Sequence, residues 1–229
     1  MVGFGIYWWS MILLVPALIL GIYAQSKVSS TFNKYSQVPS RRGLTGADAA
    51  RQVLDSAGLM DVGIEIGGAR LSDHYDPRTR TLTLSPPVGQ SNSLAAVGVA
   101  AHEAGHALQH AQGYLAFRMR SAIVPVANLG SNLGFILFFI GLFFFRSGLL
   151  MNVGIILYSA AVLFTIVTLP VEFDASRRAV TLLENRSILT GDELVGAKKV
   201  LSAAALTYVA AALMAVLQLL RLILISRSR

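Results

Sequence analysis

The chain contains no cysteine. Disulfides and thiolate ligands are therefore both excluded, and any metal must be bound through nitrogen and oxygen. Charge is scarce as well. Only 14% of the 229 residues are Asp, Glu, Lys or Arg, against 54% hydrophobic and a mean hydropathy of +0.61. That balance excludes an ordinary soluble domain and implies a multi-spanning membrane protein. No charge precedes Lys27, so the apolar run over residues 4–24 lacks the basic start of a cleaved signal and is expected to stay as a transmembrane helix. Internal repeats and low-complexity segments are also missing. The net charge is +7, yet the basic residues flank apolar spans and form no separate tail. This argues for a lipid bilayer as partner and against nucleic acid.

About 20 apolar residues suffice to cross a bilayer. By that measure the spans are residues 4–24, with Trp8 and Trp9 suited to an interfacial aromatic belt, then 123–145, 149–171 and 203–225. The organisation this predicts is a first transmembrane helix (1–25), a cytoplasmic α+β portion (26–121), a transmembrane hairpin (122–171), a second cytoplasmic segment (172–200) and a C-terminal transmembrane helix (201–229). Of the 19 Lys and Arg, ten lie in 27–120 and five in 177–199. Two spans separate these polar regions, so both face one side, and fifteen of nineteen basic residues make that side the cytoplasm. Arg221, Arg227 and Arg229 fall on the other side if the last helix crosses fully.

Within the first polar region, residues 27–42 read as a linker along the membrane surface. Thr45 and Asp48 have capping-box spacing and open a helix that stops at Gly58. Residues 62–66 and 80–85 alternate as strands, and Asp73–Thr79 between them has turn chemistry. Asn92 or Ser93 caps a helix over about 94–112. The strand at 80–85 is either an edge able to pair with an extended substrate or one arm of a plain hairpin. In the second polar region Thr190 and Glu193 have the spacing of another capping box.

The 94–112 helix carries His102, Glu103 and His106 as H-E-x-x-H. Residues four apart stack on one helical face, so both imidazoles can grip one metal ion. Glu103 lies about 100° round the helix, poorly placed as a ligand but able to hydrogen-bond a water in the open metal position. Two ligands and a general base from one turn describe a zinc hydrolase. Catalytic zinc usually takes a third protein ligand, and the remaining candidates are His74, His110, Glu172 and Asp174. His110 is offset by about 80° from His102 and reads as a helix-end residue. Glu172 and Asp174, two apart on a helix, point about 200° away from each other, so only one can face the metal. The longer reach of Glu slightly favours Glu172; the other reading is a carboxylate paired with Arg177 or Arg178.

The stretches Asp73–Thr79, Ala101–Ala107, Pro170–Arg178 and Gly196–Leu201 together resemble the YugP-type bacterial membrane zinc metallopeptidases, over nearly the whole chain. A more distant likeness is to HtpX-type membrane proteases, whose Glu-Phe-x-Ala-Asp stretch corresponds to Glu172-Phe-Asp-Ala-Ser176 here, with Ser176 in place of the distal Asp. The resemblance implies a mainly α integral membrane protein with about four transmembrane helices and a small α+β zincin-like catalytic portion at the membrane surface. It implies Zn2+ on His102, His106 and Glu172, with Glu103 as catalytic base. Asp174 and His74 are secondary candidates outside that implication, His74 as an oxyanion donor or a turn-stabilising side chain. The implied activity is that of an endopeptidase in the bacterial cytoplasmic membrane, its active site facing the cytoplasm, cutting membrane or unfolded polypeptides. Two other readings are a zinc hydrolase of a lipid or small amide and a non-enzymatic scaffold.

Overall fold

The computed structural model describes residues 9–69 and 72–228. The start of the first expected span, Trp8 included, and Arg229 lie outside them. Among the described residues, four helices are long and apolar enough to cross a membrane: Trp9–Tyr35, Leu115–Phe143, Gly148–Asn185 and Asp192–Arg227. The protein is a mainly α membrane protein with a small α+β portion. In chain order the elements are α1 (Val15–Tyr35), α2 (Gly46–Ser56), β1 (Gly63–Ile66), β2 (His74–Asp76), β3 (Thr81–Leu84), α3 (Pro86–Gly89), α4 (Leu94–Ala111), α5 (Leu115–Phe143), α6 (Gly148–Asn185) and α7 (Asp192–Arg227).

The chain forms two compact units, one from Met1–Ala24, Met119–Pro170 and Thr207–Arg229, the other from Gln25–Arg118 and Val171–Leu206. In the first, Phe138, Leu142, Met151, Leu222 and Ile225 make a buried cluster. Here α5 and α6 pack backbone to backbone: a Cβ on Gly134 would lie 2.8 Å from the Gly154 carbonyl oxygen. Lipid gives apolar side chains little reason to leave it, so spanning helices associate through such close approaches.

The second unit is built around α4. Its N-cap Ser93 accepts a hydrogen bond from the Ala96 amide, and Leu94, Val97, Ala100, Ala101, Ala104 and Leu108 all enter one core. Burying Leu94, Val97 and Leu108 contributes about 1.5–3 kcal/mol each. The amphipathic α2 lays Ala49, Ala50, Val53 and Leu54 into the same core, and its N-terminus carries the expected capping box of Thr45 and Asp48. The sheet has the order β1-β3-β2, with β1 parallel and β2 antiparallel to β3. Leu82 and Leu84 of β3 point into the core.

Three sequence expectations need correction. Residues 27–35 are no surface linker but the last turns of α1, drawn into the second unit because Phe32 and Tyr35 pack on its core. Asp73–Thr79 is only partly a turn: residues 74–76 form β2, anchored by Asp73, whose carboxylate accepts from the Ser85 amide at 2.7 Å and from the Ser85 hydroxyl at 3.0 Å. Strand β3 is no edge; it is hydrogen-bonded on both sides, so an extended substrate could not pair with it. The segment 172–200 contains the end of α6, a helix that includes Pro170, and the start of α7. There the Glu193 carboxylate accepts from the Arg41 amide at 2.6 Å, tying the loop after α1 to α7.

Candidate metal centre

All the side chains that converge here belong to the second unit. On α4, His102 and His106 stack one turn apart, their rings edge to face with centroids 4.8 Å apart. The end of α6 brings Glu172 against them. Its Oε2 lies 3.1 Å from His102 Nε2 and 3.6 Å from His106 Nε2. The three potential donor atoms lie within 4.8 Å of one another, and Glu172 is 2% exposed.

What lets the helices meet is Gly105, in the middle of the motif. A Cβ there would come within 2.7 Å of the Ala175 carbonyl oxygen and 3.3 Å of the Ala175 Cα. Any side chain would force α4 away from α6. Glycine at this position is a condition for the imidazoles to reach Glu172.

The ring nitrogens that face away from the convergence point are also held. His102 Nδ1 is 3.0 Å from Ser176 Oγ, and His106 Nδ1 is 3.0 Å from Gln109 Oε1. Both Nε2 atoms are thereby turned towards Glu172. Metal-binding histidines commonly have their second nitrogen held in this way, which fixes ring and tautomer. Two imidazole nitrogens, one carboxylate oxygen and no thiolate are a donor set that suits zinc, and three protein ligands leave a fourth position for water. The residues present fit that metal.

Glu103 is buried next to the pair. Burial pushes its carboxyl above the usual range, and the pull of His102 and His106 does not cancel that. For His106 burial works against the proton, but the hydrogen bond to Glu172 and the nearby Glu103 outweigh it, and the net shift is upward.

Asp174 does not join the cluster. Its Oδ2 accepts from Gln109 Nε2 at 2.9 Å and from Arg178 Nε at 2.5 Å, and its Oδ1 accepts from Arg177 at 2.5 Å. His74 is exposed on β2, its Nδ1 2.7 Å from the Ser72 carbonyl oxygen. His110, at the end of α4, shares a hydrogen bond with the Tyr75 hydroxyl (2.9 Å) and stacks on Phe117. Sequence reasoning passed over Gln109 and left Ser176 without a role. Both carried a signal. Gln109 is seven residues, two turns, beyond His102 and therefore on the same face, and Ser176 is one turn beyond Glu172.

The model of a family described as "Putative neutral zinc metallopeptidase" matches residues 10–227. The chain is also similar to a Bacillus subtilis (strain 168) protein named "Putative membrane protease YugP", with 48% identity over 213 residues, 93% of this chain and 94% of that one. No solved structure matches.

Proposed function

This chain belongs to the neutral zinc metallopeptidase family, and from that premise we propose that it is an integral-membrane zinc endopeptidase with His102, His106 and Glu172 as ligands and Glu103 as general base. The observation that carries the reading is the convergence of His102 Nε2, His106 Nε2 and Glu172 Oε2, with Glu103 buried beside them. Zinc held by these three would supply Lewis acidity, acidifying a water and polarising a carbonyl.

The chain's own groups do the rest. Glu103 takes a proton from the attacking water and returns it to the leaving amine. Its raised affinity for that proton, caused by burial, suits a group that must hold it between the two steps. Glu172 keeps the two imidazoles facing one point, and Ser176 and Gln109 stop the rings from turning. On this reading the centre faces the cytoplasm of a bacterial cell, which the excess of basic residues in 27–120 and 177–199, fifteen of nineteen, supports. Its substrates on this reading are membrane-associated or unfolded polypeptides.

The test is Glu103→Gln in the full chain, purified in detergent. The variant should hold one zinc and fail to cleave casein that the wild type cleaves. Full cleavage by the variant would end the general-base assignment. A wild type that binds zinc, leaves peptides intact and hydrolyses a membrane lipid extract would move the substrate class from protein to lipid.

A further inference from the structure

We propose that Gln109 is a positioning residue for the metal centre, its side-chain amide dictating which nitrogen of His106 carries the proton. This rests on the zinc-site reading above and adds to it a residue outside the H-E-x-x-H pattern. Gln109 is completely buried (0% exposed). One end of its amide faces two groups at once, the Val171 carbonyl oxygen at 2.8 Å and Asp174 Oδ2 at 2.9 Å. A carbonyl can only accept, and Asp174 is fixed as an acceptor by Arg177 and Arg178. The end facing them must be the NH2. The reverse orientation would set the amide oxygen against two acceptors in a buried site, with no donor between the three oxygens.

With the NH2 so placed, Oε1 faces His106 Nδ1 at 3.0 Å, and that nitrogen must donate. A neutral imidazole protonated at Nδ1 has its lone pair on Nε2, the nitrogen turned to Glu172. The order of control runs from the arginine pair through Asp174 and Gln109 to His106. His102 differs. Its Nδ1 partner is the Ser176 hydroxyl, which can donate or accept and so accommodates either tautomer. One ligand is prescribed and the other is tolerated.

The experiment compares zinc affinity, by competition with a chelator, in wild type, Gln109→Met, Asp174→Asn and His106→Ala, together with the Co2+ absorption spectrum and the unfolding midpoint of each metal-free protein. Gln109→Met keeps the side-chain length and removes the amide. It should weaken zinc binding about 10–100-fold and alter the Co2+ ligand-field bands, with the metal-free midpoint little changed. Asp174→Asn leaves the Val171 carbonyl as the one obligate acceptor against the Gln109 amide and should weaken zinc in the same direction, by less. It decides the matter if Gln109→Met does not fold. Wild-type zinc affinity in both variants overturns the proposal, as does an affinity loss matched by a comparable fall in the metal-free midpoint, which would mark a packing role. A wild type without zinc, or a His106→Ala protein that binds it as tightly, would instead sink the site reading itself.

Discussion

Gly105 packs against the backbone of Ala175 and holds α4 and α6 at a separation that no side chain at position 105 would permit, because a Cβ there would sit 2.7 Å from the Ala175 carbonyl oxygen. For Gly105→Ala two effects compete. Alanine in a helix interior is worth about 0.5–1 kcal/mol over glycine, while forcing a methyl into a packed contact typically costs about 1–3 kcal/mol. The contact is with backbone, which cannot swing aside, so the second effect wins. The variant should unfold at lower temperature and lose zinc more readily, since the helices that part are those carrying His102, His106 and Glu172. Thermal unfolding with and without added zinc measures both.

Glu172 and Asp174 are two residues apart on one helix and do different work. Glu172 touches both imidazoles, whereas Asp174 touches Gln109 and two arginines. Glu172→Ala removes a donor atom from the centre and should abolish stoichiometric zinc in the purified protein. Asp174→Ala removes a support and should only weaken binding. Metal analysis after dialysis against a mild chelator ranks them, and the opposite ranking would make Asp174 the third ligand.

The parts of this arrangement that sequence revealed are those whose cause is local. His102 and His106 share a face by helical periodicity alone, Thr45 and Asp48 close their box within four residues, and Leu82 and Leu84 alternate as a buried strand must. What stayed hidden depends on partners distant in the chain. Lys27–Tyr35 is polar enough to read as a linker, and only the core under Phe32 and Tyr35 makes it helix. Strand β3 reads the same whether it is an edge or the centre of a sheet. Its place between β1 and β2 is decided by pairing, including a parallel register from Gly63↔Thr81 to Ile66↔Leu84. Gln109 looks like any helical glutamine until Val171 and Asp174 arrive from sixty-odd residues away.

The capping box of α2 gives a stability prediction with a defined pH window. Thr45 Oγ1 accepts from the Asp48 amide at 3.2 Å, and Asp48 Oδ2 accepts from the Thr45 amide at 3.0 Å. Thr45→Ala should cost about 1 kcal/mol at neutral pH. The Thr45 hydroxyl and amide hold the Asp48 carboxyl below its ordinary value. A folded-state value lower than the unfolded one stabilises the fold above the unfolded pKa, near ~4, and the contribution is lost as pH falls through the folded value. The gap in unfolding midpoint between wild type and Thr45→Ala, both metal-free, should therefore narrow on acidification below about pH 4. A gap that stayed constant down to pH 3 would show that the carboxylate plays no part in the cap.

Zinc binding should itself depend on pH, with a sign fixed by His106. In the metal-free centre this imidazole holds its proton more tightly than an ordinary histidine, because its hydrogen bond to Glu172 and the neighbouring Glu103 outweigh the burial that opposes charge. A nitrogen cannot carry a proton and a metal together, so uptake of zinc must expel one wherever the ring is charged. Affinity should be level at pH values above the raised pKa and fall tenfold per pH unit for each proton displaced below it. The bend should lie above the value near 6.5 of an unperturbed histidine. Chelator competition from pH 5 to 9 locates it, and titration in buffers of different ionisation enthalpy counts the protons released. Replacing Glu172 with Gln removes the charge that raises His106, so any residual metal binding in that variant should bend at lower pH than in the wild type. A bend at the same pH in both proteins would mean that a group other than the His106–Glu172 pair governs the release.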